Sequence, residues 1–155
     1  MEITQLNEDA KVKGRLTVVH SNAAGEVIDT FEVDNLVVTT GKQHIASRLG
    51  ASSPPTAMSH MAIGSDNTTA AITQAALLAE LGRVALTSTT VNVSSTNSTV
   101  TYAATFPAGT GTGTVYEAGV FNASSSGVML CRTTFPLVTK QSGDTIAITW
   151  VVTVS

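Results

Sequence analysis

Two stretches of this chain alternate apolar and polar residues strictly enough to limit what it can become. In residues 99–106, Val100, Tyr102, Ala104 and Phe106 fall on one side. In residues 145–154, Ile146, Ile148, Trp150, Val152 and Val154 do the same, with Thr145, Thr149 and Thr153 opposite. A period of two marks a half-buried strand, because successive side chains leave a strand on opposite faces. Each such face needs an apolar layer across from it, which commits the chain to antiparallel sheet packed on sheet.

Turn-forming clusters cut the rest into pieces of similar length. Residues 14–19 and 26–33 read as strands around the turn Ser21-Asn22-Ala23-Ala24-Gly25. The second puts Val27, Phe31 and Val33 on one face, with Asp29 interrupting it, and Leu36-Val37-Val38 forms a separate short apolar run. Residues 58–63, 83–93, 114–121 and 128–135 are also β-rich, divided by polar turns at 64–67, 94–98 and 122–127 and by the break at 107–113.

Two short helices are expected. In the first, Thr40 is the N-cap and Gln43 completes a capping box. Ile45, Ala46 and Leu49 share its inward face, and Gly50 ends it. The second spans residues 73–81, with Leu77, Leu78 and Leu81 packed inward and Gly82 as the stop. At 155 residues the chain suits one domain. The expected fold is mainly β: an antiparallel β-sandwich or barrel-like domain with two short helices and an N-terminal arm. Residues 1–12 form the arm and 13–155 the single β-rich domain.

Charge is scarce and lopsided. Asp, Glu, Lys and Arg make up 12% of the chain, against about 25% in an ordinary globular domain. After Gly50 only Asp66, Glu80, Arg83, Glu117, Arg132, Lys140 and Asp144 are charged. Hydroxyls must wet that surface, or neighbouring subunits must cover it. The net charge of −3 offers no basic footprint for nucleic acid, and Lys11, Lys13 and Arg15 read as a solvated strand face. No apolar run is long enough for a transmembrane helix, and the polar, acidic N-terminus has no signal-peptide pattern. The lone Cys131 excludes an intramolecular disulfide and fits assembly in a reducing cytoplasm.

Chemistry is sparse. His20, His44 and His60 form no HxxxH or HExxH pair and have no acid or Cys beside them at ligand spacing, so structural or surface roles are expected. Cys131 has no histidine near it in sequence and reads as a core residue. Asp66 and Asp144 sit in turns, where aspartate caps backbone. The run Gly109-Thr110-Gly111-Thr112-Gly113 lacks GxxxxGK[ST] and opens no helix, which leaves it a flexible connection rather than a phosphate loop. Glu80 and Glu117 lie within apolar elements, and an internal ion pair with Arg83 or Arg132 accounts for each better than catalysis does. No catalytic, cofactor or metal site is expected.

Several strings occur together in order: Asn35-Leu36-Val37-Val38-Thr39-Thr40-Gly41-Lys42, Met61-Ala62-Ile63-Gly64, and Glu80-x-x-Arg83. Then come Glu117-Ala118-Gly119-Val120-Phe121-Asn122, Met129-Leu130-x-Arg132-x-x-Phe135, and Thr139-Lys140 followed by Ile148-x-Trp150. From about Gly14 onward this order resembles small virion structural proteins of tailed bacteriophages, of the tail-fibre or tail-collar-fibre-like and capsid-decorating kinds. Long shaft repeats, heptads and a large tip domain are missing, which departs from a complete fibre protein.

The resemblance implies no catalytic residues. It implies a bulge at Gly119 that seats Phe121 in the core, with Glu117 meeting Arg83 or Arg132 beneath it. It also implies a non-enzymatic virion protein assembled in the host cytoplasm: a capsid cement or decoration protein, expected as a homotrimer on the major capsid protein. The alternative is a tail-fibre or baseplate-attached protein that helps bind a host receptor through loops 94–98 and 122–127. Those loops carry no aromatic side chain, the residue type that favours glycan binding, so the capsid role ranks first.

Overall fold

The computed structural model describes residues 9–155. Residues 1–8 of the expected arm lie outside the described residues. Nine strands and one helix follow: β1 (Val12–Ser21), β2 (Val27–Val37), α1 (Thr39–Gly50), β3 (His60–Gly64), β4 (Glu80–Ala85), β5 (Ser88–Val93), β6 (Ser98–Phe106), β7 (Gly113–Phe121), β8 (Met129–Lys140) and β9 (Thr145–Val154). The strand order is β4-β3-β7-β8-β2-β1-β9-β6-β5. Every pairing is antiparallel.

This sheet is curled, with one half facing the other. Leu16, Val18, Ile146, Ile148 and Trp150 from β1 and β9 share a buried cluster with Met61, Ile63, Val120, Cys131 and Val138 from β3, β7 and β8. Strand β2 joins the halves. It pairs with β1 from Val27 to Asn35, then joins the β8 ladder at Leu36↔Arg132 and Val37↔Cys131, while Phe31 packs on Phe135 and Asp34 O accepts from the Thr133 hydroxyl of β8. The two apolar runs read separately in the sequence are therefore one bent strand. Asp29, which interrupted the apolar face, lies opposite His20 and meets its ring.

The strands at 99–106 and 145–154 appear in the expected phase, with Phe106, Ile146 and Trp150 wholly buried. Trp150 Nε1 donates to Asn35 Oδ1 at 2.8 Å, which satisfies the one polar atom of the indole. The β-rich stretch 83–93 is divided between β4 and β5, which lie at opposite edges of the sheet. At the start of the chain, Lys11 exchanges two backbone hydrogen bonds with Ser155, of 2.7 and 3.0 Å, so the expected arm is already part of the sheet there.

The second helix is not formed. Residues 73–79 run as turns and bends, and Glu80 and Leu81 belong to β4. Leu77 is buried, but Leu78 and Leu81 are largely exposed. The reason is a long-range bond: the Leu78 and Ala79 backbone N–H groups donate to the Glu117 carboxylate, which draws them out of a helical ladder. Helix α1 is present with its inward face differently placed. Gly41 and His44 are its buried residues, while Ala46 and Leu49 face solvent. Thr40 lies inside the helix rather than at its cap, and its hydroxyl donates to Met129 O at 2.8 Å. Gly41 sits so close to Leu130 O that a Cβ there has no room.

Between β7 and β8 the bulges lie on β8. Register shifts leave Leu130 and the stretch around Pro136 unmatched on β7, whereas Gly119 pairs regularly with Arg132. Proline has no N–H for the ladder, which accounts for the second irregularity. Phe121 is buried, but in a small cluster with Val38, Ala62, Leu77 and Met129 rather than in the main core.

Candidate functional site

Glu117 on β7 and Arg132 on β8 are both fully buried and joined by an Arg132 Nε–Glu117 Oε2 bond of 2.8 Å. They share a strand face with Gly119 and Phe121, the face turned away from the main core. Residues 65–79, the connection from β3 to β4, cover them. Glu117 accepts from Ala79 N at 2.8 Å and from Leu78 N at 3.1 Å. Arg132 Nη1 donates to Thr68 O at 2.9 Å and Gln74 Oε1 at 3.0 Å. Arg132 Nη2 makes no hydrogen bond and lies 3.8 Å from Asp66 Oδ1. The ion pair thus holds an irregular strap through four bonds, with Leu77 as its apolar anchor. Gly64 has no side chain because the Glu117 carboxylate occupies that space.

Arg83 on β4 takes the other acid. Its Nε and Nη2 grip Glu80 at 3.0 and 2.7 Å, and its Nη1 donates to Ala123 O and Ser126 O at 3.0 and 2.9 Å. The guanidinium lies 3.8 Å above the Phe121 ring. This planar fork grips a carboxylate, stacks on an aromatic face and fastens the 122–127 loop. Of the two partners considered for Glu117, the structure provides Arg132; Arg83 pairs with Glu80. The two pairs are neighbours through Phe121 and the strap, and neither faces an open cleft.

A second polar cluster escaped the sequence. His20 on β1 is 3% exposed, with Nδ1 3.1 Å from Asp29 Oδ2 and Nε2 2.9 Å from Asp144 Oδ2. Asp144 also accepts from Gln141 N at 2.8 Å, the turn-capping role expected of it. The hydrogen bond from His20, then that from Gln141 N, hold its carboxyl below the usual carboxylate range. Lys140 is buried beside it, with Nζ donating to Asp144 O at 2.7 Å and Pro107 O at 2.9 Å. Burial pulls this lysine below its ordinary value, and the Asp144 charge works in the other direction. His20 and Asp144 are 124 positions apart. A search for ligand spacing along the chain has no way to join them.

The remaining reactive types are held in quiet settings. Cys131 is fully buried, and burial pushes its thiol well above the ordinary value. His60 Nδ1 lies 2.8 Å from the hydroxyl of adjacent Ser59. His44 is buried under α1, where desolvation and then Arg48 lower its affinity for a proton. Gly109 and Gly111 in the connection between β6 and β7, and Gly113 at the start of β7, take positive φ. Among the described residues, no group of three His, Cys, Asp or Glu side chains is placed to hold a metal ion. No helix among them is long and apolar enough to cross a membrane.

One surface feature stands apart. Helix α1 and the open end of the β1-β9-β6-β5 half frame an apolar groove of about 330 Å³, walled by Val12, Leu49, Val91, Val100, Tyr102 and Val154 among others.

Compared with known protein families, characterised proteins and solved structures, the chain gives no significant match to any of the three. Fold and site define a mainly β, antiparallel protein whose buried charges serve to pin loops.

Proposed function

We propose that this chain is a non-enzymatic structural protein of a tailed-phage virion, a cement or decoration protein that binds the outer shell and links capsomers. Its partners are copies of itself, as a homotrimer, and the major capsid protein. The proposal includes no nucleic acid, membrane or cofactor. The ordered set of short strings that resembles small phage virion proteins supports it.

The observation that carries this reading is where the charges go. Of the seven after Gly50, Glu117, Arg132, Lys140 and Asp144 are buried. The Arg83 side chain is only 8% exposed, and those of Asp66 and Glu80 about a third, at 31% and 34%. The outside of residues 50–155 therefore offers hydroxyls, amides and apolar side chains with almost no free charge. Such a surface packs sideways against neighbours without stripping water from ions, a cost of several kcal/mol per ion. It also carries little repulsion between identical copies held at high density.

Copy number per particle tests the reading. Quantitative mass spectrometry of purified virions should count hundreds of copies for a shell role. A few tens or fewer would favour the tail-fibre or baseplate alternative, and absence from particles would overturn both.

A further inference from the structure

We infer that strand β5 is a self-association edge, on which a second copy of this chain pairs its own β5 antiparallel about a two-fold axis at Val91. This goes beyond the virion reading: the two-fold contact at β5 is separate from the three-fold contact of the proposed homotrimer, and it joins single chains or whole trimers in pairs, so that its loss halves the mass in either case.

The two ends of the curled sheet differ. Strand β4 carries Glu80 and Arg83, locked to each other and to the neighbouring loop. Charges of this kind blunt an edge against pairing. Among the described residues strand β5 pairs only with β6, and all six of its residues, Ser88-Thr89-Thr90-Val91-Asn92-Val93, are exposed. It has no charge, no proline and an unbroken register with β6. Its free side presents alternate backbone N–H and C=O groups, a template for another strand.

The apolar groove adjoins this edge. Thr89 and Val91 wall it from β5 and Leu49 from α1, because the facing half of the sheet has no strand to cover them. Val91 is 64% exposed, Val93 81% and Leu49 86%. Groove and edge are thus one continuous surface that no other described residue covers.

Neutrality and pleat select the occupant. A charged strand would bury an unpaired ion against Val91 and Val93, whereas an identical β5 brings none. In an antiparallel pair, directly opposite residues point to the same face. Val91 opposite Val91 therefore places Thr89 opposite Val93 and Thr90 opposite Asn92. Thr89, Val91 and Val93 of both copies then share the groove face, and the two grooves merge across the axis. A slip of one residue would set Val91 beside Thr90 and break that face. Identical patches meeting about a two-fold axis form a closed contact that does not propagate.

Cysteine cross-linking of the full-length chain tests the register. Opposed residues of such a pair have Cα atoms about 4.5–5.5 Å apart, within reach of a disulfide. Under mild oxidation Val91→Cys should form covalent dimers on non-reducing gels, and Thr90→Cys, which faces Asn92, should not. Buried Cys131 gives no background. Independently, Val91→Lys should halve the mass seen by light scattering relative to the parent chain, with an unchanged circular dichroism spectrum. A monomeric parent chain, equal cross-linking by both cysteine variants, or a Val91→Lys mass equal to the parent's would each overturn the inference. The virion reading fails separately, on copy number.

Discussion

Glu117 and Arg132, fifteen positions apart, meet at 2.8 Å with no exposed surface on either, and together they fasten a strap that has no regular structure of its own. Removing one partner leaves the other charge buried and unpaired, while the strap loses its attachment. Glu117→Gln should therefore destabilise the domain by about 3–5 kcal/mol. The paired replacement Glu117→Leu with Arg132→Met should cost less than the two single losses added, because no lone ion remains. Thermal and urea melts of the parent, Glu117→Gln, Glu117→Leu, Arg132→Met and the double variant check this. An unchanged melting point for Glu117→Gln would refute the role given to the pair.

Arg83 predicts a more local effect. Arg83→Lys keeps the charge but loses the two-pronged grip on Glu80 and the stacking on Phe121. A loss of about 1–3 kcal/mol is expected. Amide exchange should quicken in residues 122–127, since Ala123 O and Ser126 O lose their donor. Exchange that stays slow in that loop would place its stability elsewhere.

Acid should act through Asp144 and Asp66. Asp144 is lowered first by the hydrogen bond from His20 and next by the one from Gln141 N. Asp66 is lowered by hydrogen bonds from Thr68, side chain before backbone. Each folded-state value lies below the unfolded one, near 3.9 for aspartate. The stabilisation is therefore complete above the unfolded value and fades as pH falls through the folded one. Melting temperatures taken from neutral to about pH 2 should drop over that window, and Asp144→Asn should flatten the drop.

The Gly41 contact makes a steric prediction. A methyl group at this position meets Leu130 O on the β8 bulge. Gly41→Ala should cost about 1–3 kcal/mol by lifting α1 off the strand, even though alanine is the better helix former. A gain in stability, read from the same melts, would show that the helix can shift at no cost.

Cys131 should be silent to thiol reagents in the folded protein. It is fully buried, and burial disfavours the thiolate that reacts. Labelling should be complete in denaturant and slow without it, at a rate that follows opening of the domain.

What the sequence revealed depended on how locally each feature is determined. The alternation in β6 and β9 is a property of consecutive residues, and it named the buried faces of both strands. Leu77, Leu78 and Leu81 have helical spacing, but the backbone there answers to Glu117, nearly forty residues away. Of the three only Leu77 turns inward. The ion pairs were half legible: acids inside apolar elements need cations, but only the sheet register decides that Arg132 and not Arg83 reaches Glu117. The partners of His20 are not legible along the chain because both of its acids, Asp29 and Asp144, arrive through strand pairing and a distant turn. The bulge expected at Gly119 is a regular pairing with Arg132, and the irregularities sit on β8 at Leu130 and around Pro136, which has no N–H to donate.

The position of β9 between β1 and β6 bears on how the chain acquires its structure during synthesis. Leu16 and Val18 on β1 are wholly buried in a half that β9 completes. Strand β9 follows β1 by more than a hundred residues, so an emerging chain holds the β1–β2 hairpin and β6 with an apolar face uncovered until β9 is made. Pairing of the first strand with the last gives a fold rich in contacts between distant residues, which places it among slowly folding domains. An unfinished chain of this design, with the bare β5 edge already translated, meets its greatest risk of mispairing before β9 appears.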